Sequence, residues 1–233
     1  MAPGPRTLEV RIISIGALAA HPLRGERAPV RTGHATTTLI TAGEKRILVD
    51  PGLPAPALLA RLDERVGLQG ADITDVFLTS FKPDTMRGID AFNRASWWIH
   101  EPEREGVGVP LVHKVREAAE AGEQDLQEAL GRDAAVLQRC RPAPDSLAPG
   151  VDLFPSPGVT PGCCGLLIGE SRWTTLVCGD AVATVEHILD GKVLPSAVDV
   201  DRARDSFTEA LEIADILVPG RDNITINPMR GPF

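Results

Sequence analysis

Short apolar runs separated by turn residues organise this chain. Leu8, Val10 and Ile12 alternate with Glu9 and Arg11, the period-two signature of a strand with one solvated face. Thr36, Thr38 and Ile40, then Ile47 and Val49, continue the alternation, and Ala42-Gly43-Glu44-Lys45 supplies the hairpin turn between them. Further strands are predicted at 76–79, 96–100, 151–154, 164–169, 173–178 and 216–218, with a second hairpin turn at Glu170-Ser171. Helical spacing predicts a helix over 55–66, with Leu58, Leu59, Leu62 and Val66 on one face. It predicts another over 112–130, where Val112, Val115, Ala119, Leu126 and Leu130 form a loose stripe, and one over 199–213 with Phe207, Ala210 and Leu211 inward, followed by Ala214. Residues 183–189 have a helical pattern too, and Glu101-Pro102 opens a helical or irregular segment. Periodicity alone therefore predicts a mixed α/β protein.

The 233 residues, 43% of them hydrophobic, suffice for one well-buried domain spanning 1–233. Lys and Arg number 24 against 32 Asp and Glu, a net charge of −8, with no basic run. That balance argues against nucleic acid and anionic membranes as partners. No run approaches the roughly 18 apolar residues of a membrane span, and Glu9 and Arg11 interrupt the first apolar stretch, so the N-terminus reads as a strand rather than a signal peptide. A cytoplasmic protein is the expectation, with a homodimer as the default assembly. Cys140, Cys163, Cys164 and Cys178 have neither disulfide-framework nor zinc-knuckle spacing and are expected as buried thiols, a reactive thiol at Cys163 or Cys164 being the alternative. The adjacent Trp97 and Trp98 are expected in the core or across an interface.

Candidate chemistry gathers at strand ends. Leu48-Val49-Asp50-Pro51-Gly52 runs from a strand into a turn, as do Leu78-Thr79-Ser80-Phe81-Lys82-Pro83-Asp84-Thr85 and Val177-Cys178-Gly179-Asp180. Together with Pro157-Gly158-Val159-Thr160-Pro161-Gly162 and Pro219-Gly220-Arg221, this series resembles the metallo-β-lactamase fold, whose strand ends carry LVDPG, LTHxHxDH, PGHTPG, GD and a last His. The resemblance runs from about residue 40 to 223 and implies a four-layer αββα sandwich. It also implies that Ser80, Lys82, Thr85, Val159 and Arg221 stand where the family has metal-binding imidazoles, while Asp84 and Asp180 are kept. Asp50 corresponds to a carboxylate that shapes the site without binding metal.

Two carboxylates and a hydroxyl from Ser80 or Thr85 are a poor zinc set, and Lys82 and Arg221 bring positive charge to the same place. An ion-pair cluster of Lys82 and Arg221 with Asp84 and Asp180 in place of the metal is the expectation. The leading functional reading is a metal-free, non-hydrolytic member of the fold that binds a small ligand or a protein partner in a cleft remodelled around Ser80, Lys82, Asp84, Thr85, Val159, Asp180, Arg221 and Asp222, with His34 and His187 as possible ligand contacts. No cofactor is expected on that reading. A second reading is a zinc-dependent hydrolase of ester, thioester or lactam type whose replacement ligands come from His34, His187, Asp84, Asp180 and Asp222. A third is a structural subunit of an active relative, working through apolar area at Trp97, Trp98 or the 112–130 helix.

Overall fold

The computed structural model describes residues 8–170 and 172–230. Residues 1–7 and Ser171, within the predicted N-terminal strand region and the second hairpin turn, lie outside the described residues. The strands are β1 (Leu8–Ser14), β2 (Thr37–Ala42), β3 (Lys45–Val49), β4 (Asp75–Leu78), β5 (Ser96–Ile99), β6 (Arg141–Pro142), β7 (Ser146–Ala148), β8 (Val151–Pro155), β9 (Cys164–Gly169), β10 (Thr174–Gly179), β11 (Ile216–Pro219) and β12 (Thr225–Ile226). The α-helices are α1 (Ala55–Val66), α2 (Pro83–Met86), α3 (Glu101–Ala121), α4 (Gln124–Arg139), α5 (Val185–Asp190) and α6 (Val200–Ile213).

Strands β1 to β6 form one sheet in chain order, antiparallel up to β3 and parallel from there on. The second sheet runs β12-β11-β10-β9-β8-β7, with a single parallel pair, β10 with β11. Alternation along the strands explains the layering. Ile47, Val49 and Phe77 point between the sheets and meet Leu166, Ile168, Val177 and Val218 of the second. Their neighbours Leu48, Val76 and Leu78 face the other way, against Leu58 and Leu62 of α1, Leu111 of α3 and Leu137 of α4. On the far side Leu176, Cys178 and Leu217 receive Ile188 of α5 and Phe207 and Ala210 of α6. Helices thus cover both outer faces, giving the αββα sandwich.

One predicted element is corrected. The single helix over 112–130 is two antiparallel helices, because Gly122 takes φ +72° and its N–H closes on the carbonyls of Ala118 and Ala119, ending α3. The predicted stripe fails with it: Val112 and Leu126 are 50% and 46% exposed, while Leu111 and Ala118 are buried. Carrying one helical phase across a helix end rotates it off the true buried face. The tryptophans are core and its margin: Trp97 is buried, donates to the Phe92 carbonyl at 2.9 Å and lies under the Arg139 guanidinium, while half-buried Trp98 donates to Asp75 at 2.8 Å.

Candidate functional site

Parallel pairs β3–β4 and β10–β11 release their chains at the same end of the sandwich, so the turns after them converge. The first of these turns is locked by Asp50, which takes φ +49°, a left-handed conformation that Asp tolerates better than most residues. Its carboxylate accepts from the Thr79 N–H at 2.9 Å and the Thr79 hydroxyl at 2.6 Å, tying the end of β3 to that of β4. Close backbone approach does the same in the other sheet: Gly220 N–H donates to the carbonyls of Gly179 and Val182, and a Cβ at Gly220 would lie 2.5 Å from the Gly179 carbonyl.

Four charged side chains meet where these turns converge. Asp180 accepts from Arg221 Nε at 2.7 Å on one oxygen, and from Arg221 Nη2 and Lys82 Nζ, both at 2.8 Å, on the other. Arg221 also spans the Asp84 carboxylate, with Nη2 at 3.2 Å from Oδ1 and Nη1 bonded to Oδ2. One planar guanidinium therefore forks onto two carboxylates, a geometry that lysine cannot reproduce. The side chains of Arg221 and Asp180 are each 3% exposed, whereas Lys82 and Asp84 form the rim at 27% and 31%. Two cations and two carboxylates cancel, which is how the fold tolerates charge at this depth.

Protonation follows from that balance. Burial would raise the Asp180 carboxyl, but the charges and hydrogen bonds of Arg221 and Lys82 outweigh it and hold the group well below the usual carboxylate range. Lys82 and Arg221 are lowered by burial and raised more strongly by Asp180, so both end above their ordinary values. Asp50 behaves oppositely: burial dominates its hydrogen bonds to Thr79 and pushes it up to about 7. Because its folded pKa exceeds the unfolded one, its contribution to stability is present below about pH 4 and is lost as pH rises through 7. Asp50→Asn should remove that loss. The wild type minus variant stability difference in urea titrations should fall by up to about 4 kcal/mol between pH 4 and 8, and a pH-independent difference would refute the assignment.

The other sequence-predicted residues do not join the four. Thr85 turns its hydroxyl onto the carbonyls of Ser80 and Lys82, both at 2.8 Å, closing the β4–α2 turn on itself. Ser80 is fully buried, and its hydroxyl has no partner among the described residues. Val159 lies in an apolar cluster with Ala183, Leu194 and Ala203. Asp222 accepts from the N–H groups of Val185 and Asn223 at 3.1 and 2.8 Å. His34 aims its ring at the carbonyl of Ile15, 3.1 Å away. His187 is buried beside the His21 ring, 5.5 Å between centroids, and shares Thr184 Oγ1 with it. Burial and then His21 lower the His187 pKa, favouring the neutral ring.

Of the replacement ligands considered from sequence, Asp84 and Asp180 share Arg221 while His34, His187 and Asp222 are engaged elsewhere, and among the described residues no group of three or more His, Cys, Asp or Glu is placed to hold a metal ion. The cysteines are all free and buried. Burial pushes the Cys140 and Cys164 thiols up to about 12 and raises Cys163 and Cys178 well above the ordinary thiol value, which favours the protonated thiol over the reactive-thiol alternative.

Sequence reading missed Glu103. It is fully buried at the start of α3, and its carboxylate accepts from Phe81 N–H at 2.8 Å and Gly162 N–H at 2.9 Å. His100 adds a contact from its Nδ1 to the Gly162 carbonyl at 2.9 Å. The base of α3 thus fastens the turn carrying Lys82 to the loop after Val159. Glu103 lies in a charged Glu-Pro-Glu-Arg-Glu segment, where nothing distinguishes one buried carboxylate from its solvated neighbours.

Comparison with known proteins agrees with this architecture. The family model of the metallo-beta-lactamase superfamily matches residues 30–224. Among curated proteins, none matches the sequence. Among solved structures, a Thermotoga maritima protein assigned as a metallo-beta-lactamase superposes with a TM-score of 0.68 at 18% identity, covering 94% of this chain and 99% of its own. An N-acyl homoserine lactone hydrolase, with the product N-hexanoyl-L-homoserine at its catalytic metal centre, gives 0.64 at 19% identity over 93% of both chains. AidC, a dizinc quorum-quenching lactonase, gives 0.60 at 21% identity over 76% of this chain and 67% of that one. At these identities the likeness carries the fold alone.

Proposed function

Because the chain belongs to the metallo-β-lactamase superfamily yet holds Ser80, Lys82, Thr85, Val159 and Arg221 at the expected imidazole positions, we propose that it is a non-hydrolytic member whose role is recognition of a small ligand or protein partner. The observation that carries the reading is the Arg221 guanidinium forked onto both Asp180 and Asp84. A divalent cation at those carboxylates would have to displace Arg221 and then sit beside it and Lys82, paying like-charge repulsion where little water screens it. Hydrolysis in this fold depends on a metal to generate the nucleophile and polarise the substrate. The residues present do not fit that metal.

The rim directs what the site recognises. Arg221 and Asp180 are enclosed within the cluster, while Lys82, bonded to Asp180, and Asp84, bonded to Arg221, stay partly exposed and keep spare ammonium donors and carboxylate lone pairs at the rim. A polar group presenting both an acceptor and a donor suits this rim better than a simple anion. We place the protein in the cytoplasm, where four free thiols are the rule.

The competing reading, a metal-dependent hydrolase, draws on the lactone-hydrolysing neighbours. Metal content separates the two. Protein expressed with added zinc, iron and manganese and purified without chelator should carry well below one metal per chain by plasma mass spectrometry. A ratio near one or two would overturn the proposal and direct attention to lactone and ester hydrolysis.

A further inference from the structure

A cavity of about 500 Å³ lies between α3 and α4, apart from the charged cluster. Its walls are Gly108, Val109, Leu111 and Val112 on one helix and Ala134 and Leu137 on the other. Val109 and Val112 are 65% and 50% exposed, so apolar surface reaches the mouth. The volume falls within the usual range for small-molecule sites.

Helix α3 is built weakly along this wall. Gly106, Gly108 and Pro110 occupy its interior, and Pro110 has no N–H to give to the helix. Gly106 serves close packing, since a Cβ there would lie 2.7 Å from the Pro161 Cβ, whereas a Cβ at Gly108 would meet Leu137 at an ordinary 3.9 Å.

Arg104 gives the cavity its chemistry. It lines the same space, its Nε is buried without an acceptor, and it forms no salt bridge among the described residues. The Nε N–H is out of reach of solvent, but among the described residues no hydrogen bond engages the two Nη groups, and these can meet a ligand oxygen from the cavity. Glu105 and His113, both exposed, also border the cavity. The Glu105 carboxylate beside Arg104 opposes a doubly charged head group more than a singly charged one. Arg104 and His113 are nine residues apart, about 13 Å along a helix, which matches an extended chain such as that of decanoate.

We propose that the α3–α4 cavity is a binding site for an amphipathic monoanion, a medium-chain carboxylate whose head group meets Arg104 and whose chain lies between Val109, Val112, Ala134 and Leu137. The inference does not depend on whether the charged cluster is metal-free.

The test titrates decanoate, below its micelle-forming concentration, into the full chain and follows backbone amides by NMR, with 1-decanol as the uncharged control. Saturable shifts are expected at Val109, Leu111, Val112, Ala134 and Leu137. Arg104→Gln should weaken decanoate about tenfold while leaving decanol unchanged, the size expected for one charge-assisted hydrogen-bonded contact. Arg104→Lys should retain most of the affinity, and Ala134→Phe should abolish binding of both probes by filling the space. Thermal melts of each variant separate loss of binding from loss of fold. Absence of saturable shifts in the folded wild type, equal binding of decanoate and decanol, or shifts confined to the groove between α5 and α6 would each overturn the proposal. Concentration-dependent shifts of the same amides without ligand would overturn it in favour of a second copy of the chain covering this face.

Discussion

Arg221→Met is expected to destabilise the protein by about 3 to 5 kcal/mol, the cost of stranding a buried charge by removing its partner. The substitution keeps an apolar stem of similar length but removes every hydrogen bond from position 221 to Asp180 and Asp84. Asp180, at 3% exposure, would then rely on Lys82 alone. Pairing Arg221→Met with Asp180→Asn should recover at least half of the loss, because the second change removes the charge that the first left uncompensated. Urea unfolding of the single and double variants at neutral pH measures both quantities. A loss below about 1 kcal/mol would mean that the cluster behaves like an exposed ion pair and does not hold the site together. Acid provides an independent readout. The folded Asp180 pKa lies below its unfolded value, so its contribution is present above about pH 4 and is lost as pH falls further, and Asp180→Asn should flatten that acid limb.

Glu103→Leu is expected to cost about 2 to 5 kcal/mol, because it leaves the N–H groups of Phe81 and Gly162 buried without acceptors. Glu103→Gln should cost less, since its amide oxygen can still serve one of the two. The effect should be local before it is global. Hydrogen exchange at Phe81 and Gly162 should accelerate in Glu103→Gln while amides in β9 and β10 stay protected. Uniform acceleration across the chain would instead assign Glu103 a general core role. The fit at this junction is close, since a Cβ at Gly162 would sit 2.0 Å from Glu103 N, so Gly162→Ala must displace either α3 or the loop after Val159. These substitutions connect a helix on the outer layer to the turn that carries Lys82.

Strand content and the positions of the turns were legible in the sequence, because alternation, apolar runs and Gly/Pro punctuation depend on local chain geometry. Residues 76–79, 164–169 and 216–218 could be read as strands for that reason, and 55–66 as a helix. The break at Gly122 was less legible: a glycine within a helical pattern either continues the helix or caps it, and the antiparallel packing of α3 on α4 decides for the cap. The αββα layering itself came from motif resemblance rather than periodicity, which does not specify how two sheets face each other.

The candidate site divides along the same line. Lys82 and Asp84 are neighbours in one turn, but Asp180 lies 98 residues beyond Lys82 and Arg221 lies 137 beyond Asp84. The motif order placed these four charges at strand ends, and the tertiary structure decided which atoms meet. It also decided that Val159 packs with alanine and leucine, that Thr85 bonds its own turn, that His187 pairs with His21, and that Glu103 alone in its charged segment is buried. By itself the sequence determined the elements and the chemical substitutions at the strand ends, both functions of residue type and local spacing. Hydrogen-bond partners, burial of individual charges and the cavity between α3 and α4 were decided only by long-range packing, because each depends on where distant segments come to rest.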